Sequence, residues 1–223
     1  MSQSAQPTSA IQLSCHSVSA MRAGMALTNA VSFTMERGHY LQLRGMNGIG
    51  KSTFLRQLAG LIPCDSGHLT INDAPYNPAQ DRLTLKVQYL GHRDGLHNDL
   101  TGYENLQLLG AINDKGAQTE PLYHRQLNSY SAGQRQRLNL LTLSDEADLW
   151  LLDEPSSNLD GDNLQFLEEM IKAFLKKGGM VIAATHGDVA QTYVTQQIQL
   201  EPSLSKPSPS QSHAGGDDAL ADI

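Results

Sequence analysis

The chain has 223 residues, 39% of them hydrophobic, enough to build one domain around a buried core. Sixteen Lys and Arg against 23 Asp and Glu leave a formal charge of −7, which argues against nucleic acid as a main partner because phosphate backbones call for clustered cations. No apolar run approaches the ~20 residues of a membrane-spanning helix, and two cysteines, Cys15 and Cys64, without CxxC spacing give neither a disulfide framework nor a zinc site.

Residues 1–10 are Ser-, Gln- and Ala-rich and uncharged, so they lack the charged start and apolar middle of a secretory signal and are expected to be flexible. Short strands are predicted over residues 11–15, 31–33 and 40–44, the last running into a glycine-rich loop. A helix over 52–61 stops before Pro63. Strands follow over 67–71 and 86–90, helices over 102–111 and 132–143, and an apolar strand over 149–153. A helix over 162–177 carries Leu164, Leu167, Met170, Ile171, Phe174 and Leu175 on one face and ends at Gly178-Gly179; a buried strand over 180–184 comes next. Apolar strands alternating with helices predict an α/β domain, a parallel sheet covered on both faces, over residues 11–200. Residues 201–223, rich in Pro, Ser, Gly and Asp, bury too little apolar surface to offset their ordering entropy and are expected to be disordered.

The segment Gly45-Met46-Asn47-Gly48-Ile49-Gly50-Lys51-Ser52-Thr53 fits G-x-x-x-x-G-K-[ST]. Glycines allow successive backbone N–H groups to converge on phosphate oxygens, and the following helix aims its positive end at the same place. Gly45, Asn47, Gly48, Gly50, Lys51, Ser52 and Thr53 are therefore the candidate nucleotide-binding set. Lys51 adds a charge near the terminal phosphates, and the Ser52 hydroxyl is suited to Mg²⁺. Downstream, Leu149-Trp150-Leu151-Leu152-Asp153-Glu154-Pro155 delivers two carboxylates at the end of an apolar strand. Asp153 is suited to hold the same Mg²⁺, and Glu154 to act as general base on the attacking water. The chemistry expected is ATP hydrolysis.

Tyr130-Ser131-Ala132-Gly133-Gln134 resembles the LSGGQ signature of ABC ATPases, with Ala132 where the first signature glycine usually stands. Ser156-Ser157-Asn158-Leu159-Asp160 resembles the D-loop of that family, and Thr185-His186 its switch histidine. All the elements occur in family order. The resemblance implies the phosphate-loop NTPase fold of the ABC ATPases: a mostly parallel core, an antiparallel β part, and a short helical subdomain over about 92–143. It also implies a head-to-tail homodimer in which Ser131, Gly133 and Gln134 of one subunit meet the ATP held by the other. His186 would hold the terminal phosphate as a catalytic residue beside Lys51 and Glu154.

Two positions depart from the family pattern. The adenine-stacking aromatic has no counterpart in Val18-Ser19-Ala20-Met21-Arg22-Ala23, which leaves Met21 or Arg22 to meet the base. The coupling glutamine after the strand 86–90 is replaced by His92 in the expected register; Gln88 takes that role only if the register shifts.

Tyr89-Leu90-Gly91-His92, Leu100-Thr101-Gly102-Tyr103-Glu104-Asn105-Leu106 and Lys177 to Ile182 further resemble the CcmA-type ATP-binding subunits of the cytochrome c maturation system. That resemblance implies an integral membrane subunit of CcmB type as partner. It implies haem export, or release of haem from its chaperone, with haem handled by partners and not by this chain. The place implied is the cytoplasmic face of an inner membrane, or the matrix side in an organelle. The eight histidines are scattered and no CxxCH is present. An ATPase of another ABC transporter, or a soluble ABC ATPase of an assembly scaffold such as the iron–sulfur cluster type, fits the same motifs.

Overall fold

The structure is a computed structural model that describes residues 11–91, 94–110, 121–157 and 159–203. Two sheets divide the strands. The first is antiparallel. Its β1 (Gln12–Val18) lies between β4 (Val31–Glu36) and β6 (His68–Ile71), with β7 (Ala74–Tyr76) at the edge beyond β6. In β4, Val31, Phe33 and Met35 are buried while Ser32, Thr34 and Glu36 are exposed, the alternation expected of a sheet with one wet face. Pro75 sits in edge strand β7, where its missing N–H costs no ladder bond. A two-strand hairpin, β2 (Met21–Arg22) and β3 (Met25–Ala26), projects between β1 and β4 in sequence.

The second sheet is parallel throughout, in the order β11 (Gln196–Gln199), β5 (Tyr40–Arg44), β10 (Met180–Ala184), β9 (Leu149–Asp153), β8 (Val87–Leu90). Every residue of β9 and β10 is buried, because both faces are covered. One face packs Leu41, Leu43, Leu149, Leu151, Met180 and Ile182 with α1 (Lys51–Leu58) and the antiparallel sheet. The other packs Trp150, Leu152, Val181 and Ala183 against α4 (Gly161–Lys176). There the Trp150 and Phe174 rings stack with centroids 3.8 Å apart.

A small separate core holds the helical part: Leu96, Leu106, Tyr123, Leu127, Tyr130 and Leu138, from α2 (Gly102–Leu108), α3 (Ala132–Leu140) and two 3-10 turns, Pro121–His124 and Leu127–Ser129. Both helices begin with a capping box, Thr101 with Glu104 and Ser131 with Gln134. Each ends about three residues before its expected limit. Three polar residues in succession tie α3 to its surroundings. Arg135 makes a two-pronged ion pair with Asp94 at 2.9 Å, Gln136 donates to the Pro155 carbonyl at 3.0 Å, and Arg137 donates to Asn163 at 3.0 Å.

Strands β2, β3, β7 and β11 were not expected: two are two residues long, one contains proline, and Gln-Gln-Ile-Gln of β11 is almost wholly polar. Residues 201–203 also pair with the domain, Asn29 N–H donating to the Glu201 carbonyl at 3.0 Å and Ser203 N–H to the Leu27 carbonyl at 3.0 Å. The ordered domain thus runs three residues into the expected tail. Residues 1–10, expected to be flexible, His92, D-loop residue Asn158 and the tail from residue 204 lie outside the described residues.

Candidate functional site

The parallel strand order decides what meets what. Strand β10 lies between β5 and β9, so the loop after β5, the carboxylates ending β9 and the histidine after β10 emerge side by side at the carboxyl edge, where open α/β sheets bind ligands. The loop after β5 is shaped by its glycines. Gly50, the residue before α1, has φ 116°, and a Cβ there would stand 2.9 Å from the Ala20 Cβ, so both the turn and its close approach to the hairpin base require glycine.

Lys51 opens α1 and is 7% exposed. Its ammonium folds back over the loop, donating to the Gly45 carbonyl at 2.8 Å and lying 2.9 Å from His186 Nε2 and 3.7 Å from Glu154 Oε1. His186 Nε2 is in turn 3.2 Å from Glu154 Oε1. Glu154 holds its place with φ 55°, a left-handed conformation unusual outside glycine, fixed by its own N–H donating to the Ala184 carbonyl at 2.8 Å. Such conformations cost ~1–3 kcal/mol and collect at functional sites. The three residues expected to be catalytic, Lys51, Glu154 and His186, are therefore one cluster.

Asp153 is 2% exposed. One carboxylate oxygen accepts from the Ser52 hydroxyl at 3.0 Å, the other from the Tyr89 hydroxyl at 3.1 Å. Ser52 and Asp153, the pair expected to ligate metal, supply two hard oxygen donors side by side, a donor set that fits Mg²⁺. Arg56, one turn after Ser52, donates Nε–H to the Tyr89 oxygen at 3.3 Å. Burial pushes the Tyr89 phenol above its ordinary value, the Arg56 contact opposing and the Asp153 charge adding.

A cleft of about 450 Å³ lies over this cluster, lined by Asn47, Gly48, Gly50, Lys51, Ser52, Thr53, Asp153 and Glu154, and also by Arg22, Leu27 and Arg56. Of the two candidates for the base, Arg22 reaches the cleft wall and Met21 does not. Ser131, Gly133 and Gln134 do not line it. They form the start of α3, where Ser131 Oγ accepts from Gln134 N–H at 3.2 Å and Gln134 Oε1 accepts from Ser131 N–H at 3.0 Å.

Gln88 is turned away from the site. Its amide donates to the Thr142 carbonyl at 3.3 Å and accepts from Ser144 N–H at 2.6 Å, pinning the chain after α3 to the sheet edge. The register shift that would bring it to the cleft does not occur: Gln88 pairs with Trp150 and Tyr89 with Leu151. Tyr89, Arg56 and Leu27 belong to the site and were not foreseen. Strand alternation holds the signal for Tyr89, since Val87 and Tyr89 share the α1 face and Leu90 takes the other. For Arg56 the signal is its i, i+4 spacing from Ser52.

Comparison with known proteins agrees with this arrangement. Residues 28–157 match the family model for the ABC transporter. The cytochrome c biogenesis ATP-binding export protein CcmA of Rhodobacter capsulatus is 35% identical over 206 residues, covering 88% of this chain and 91% of that one. The protein of the same name from Xylella fastidiosa is 37% identical, covering 78% and 83%. Among solved structures, an ABC transporter ATP-binding protein of Pyrococcus furiosus superposes with a TM-score of 0.71 at 19% identity, covering 85% of this chain and 97% of that one. With the loop, paired carboxylates and histidine gathered at one sheet edge, the chain belongs to the ABC transporter ATP-binding family, is of its CcmA type, and is an ATPase.

Proposed function

We propose that this chain hydrolyses ATP as a subunit of an ABC exporter complex serving c-type cytochrome biogenesis, coupling turnover to haem export or to release of haem from its chaperone. The relatives' shared role, over most of both chains, carries the biological part of this reading. The Lys51–His186–Glu154 cluster supports the chemical part.

ATP enters the cleft with its phosphates under the loop 45–50. The Lys51 ammonium leaves the Gly45 carbonyl for the terminal phosphates, and Thr53 and the loop N–H groups close around them. Arg22 meets the adenine. Mg²⁺, held by Ser52 and Asp153, would supply charge neutralisation on the phosphate oxygens. Glu154 takes a proton from the attacking water, and His186 orients the terminal phosphate and the carboxylate. The products are ADP and phosphate. The Ser131 hydroxyl accepts locally, so its proton is available to the phosphate of a second subunit. Gly133 and the positive end of α3 face the same ligand, and Gln134 acts by holding the cap. This arrangement calls for a head-to-tail homodimer, docked on a CcmB-type integral membrane subunit at the cytoplasmic face of the inner membrane. No described helix is long and apolar enough to cross a membrane.

The test is a strain carrying only the Lys51→Ala form, assayed for covalent haem on c-type cytochromes. Loss of haem attachment is expected. Normal attachment with a hydrolysis-dead protein would remove the cytochrome reading and point to another exporter or a scaffold ATPase.

A further inference from the structure

We propose that Tyr89 is a positioning residue for the metal carboxylate: its hydroxyl fixes the orientation in which Asp153 presents its free edge beside Ser52. The inference rests on the assignment of Mg²⁺ to Ser52 and Asp153 made above. Hydrogen-bond direction is decided by chemistry. Arg56 can only donate and an ionised carboxylate can only accept, so the proton of the Tyr89 hydroxyl goes to Asp153 Oδ2 at 3.1 Å while its oxygen takes the Arg56 Nε–H at 3.3 Å. Ser52 holds Oδ1 at 3.0 Å. Ser52 and Arg56 stand one turn apart on α1, so a closed ring forms: helix, Tyr89, Asp153, helix.

The ring is stiff. Tyr89 is carried on β8, whose pairing with β9 sets its height against Asp153. Little room is left between the phenol and Gly91, where an added Cβ would stand 3.0 Å from the Tyr89 Cε1 atom and 3.4 Å from its hydroxyl. Without the hydroxyl, Asp153 Oδ2 keeps no partner among these side chains and the carboxylate is free to rotate away from Ser52. Partners that orient metal-binding carboxylates typically change metal affinity by about 10–100-fold.

The experiment measures Mn²⁺ affinity by electron paramagnetic resonance on the full chain with a non-hydrolysable ATP analogue, and analogue affinity in EDTA. Tyr89→Phe is expected to weaken Mn²⁺ binding about tenfold and to leave metal-free analogue binding and melting temperature close to wild type. Tyr89→Leu should weaken Mn²⁺ to the same degree. Asp153→Asn is the control for the site itself. If Asp153→Asn weakens Mn²⁺ while Tyr89→Phe does not, the positioning role is wrong and the metal assignment stands. If Asp153→Asn has no effect, the metal assignment fails and this inference with it. A loss seen only with Tyr89→Leu would make Tyr89 a packing residue and overturn the proposal.

Discussion

His186 Nε2 lies 3.2 Å from Glu154 Oε1 and, at the same time, 2.9 Å from the Lys51 ammonium. One neutral ring nitrogen cannot donate to the carboxylate and accept from the ammonium at once. The two contacts therefore describe a choice. While Lys51 rests on the Gly45 carbonyl, its proton can face His186. When phosphates draw Lys51 away, the tautomer that carries its proton on Nε2 is free to donate to Glu154 Oε1, which would give the proposed base an oriented neighbour. On the roles proposed above, nucleotide entry and preparation of the base would be linked through this single nitrogen.

The first prediction follows from that link. Lys51→Ala and Glu154→Gln should both abolish hydrolysis, but by different routes. Lys51→Ala removes the cation that faces the phosphates and should weaken ATP binding at least tenfold. Glu154→Gln keeps shape and charge-free hydrogen bonding but cannot take a proton, and a general base contributes about 10²–10⁴-fold. It should bind ATP as well as wild type and accumulate as a closed dimer, seen by size exclusion with ATP. Wild-type turnover by Glu154→Gln would remove Glu154 from the role of base.

Arg22 gives the second. It lines the cleft with Leu27, from a hairpin with no aromatic side chain. A guanidinium stacked on a base is worth ~0.5–2 kcal/mol, about two- to thirty-fold in affinity, and is tolerant of which purine it covers. Arg22→Ala should weaken ATP and GTP alike by a factor in that range, and Arg22→Tyr should restore binding. Equal affinities for Arg22→Ala and wild type would mean the base does not touch Arg22.

How much of this was legible beforehand follows from which interactions are local. The phosphate loop and β9 announce themselves because their chemistry is contiguous: glycines then lysine, apolar strand then carboxylates. Strands 149–153 and 180–184 come out at their observed limits because burial on both faces makes them near-continuous apolar runs; strand 40–44 is marked instead by Tyr40, Leu41 and Leu43 running straight into the glycine-rich loop. Strand β11 is hidden in sequence because three of its four side chains are glutamines: Gln197 donates to Gln42 Oε1 of β5 at 2.6 Å, and Ile198 alone packs on the core. Tyr89 and Arg56 were missed for a related reason. Their meeting with Asp153 depends on the order β9–β8 and on where α1 crosses the sheet, neither of which local pattern records.

Gln88 carries the third prediction. It bonds both the Thr142 carbonyl and Ser144 N–H, so it acts as a clamp between β8 and the end of α3. Gln88→Ala should cost ~1–2 kcal/mol from lost and unsatisfied hydrogen bonds. For a chain of this size that lowers the melting temperature by about 2–8 °C. Nucleotide affinity and its Mg²⁺ dependence should stay unchanged. An unaltered melting temperature with lost hydrolysis would move Gln88 into the site.

The last prediction concerns the footing of Ser131. Tyr130 donates its hydroxyl to the Leu122 carbonyl at 2.6 Å and is packed over Gly102, where a Cβ would stand 2.3 Å from that hydroxyl and 3.2 Å from the Tyr130 Cζ atom. Gly102→Ala must therefore displace the ring, and overpacking of this kind costs ~1–3 kcal/mol. Tyr130→Phe loses the hydrogen bond but opens the space, so the double variant should be less unstable than the sum of the two singles, with a coupling near 1 kcal/mol by urea unfolding. Since the next residue is Ser131, displacement of the ring also shifts the N-cap of α3. Gly102→Ala should lower ATP turnover more than it lowers ATP affinity, and Tyr130→Phe in the same chain should recover part of it. Strict additivity in stability, or turnover unmoved by Gly102→Ala, would separate this packing contact from the presentation of Ser131.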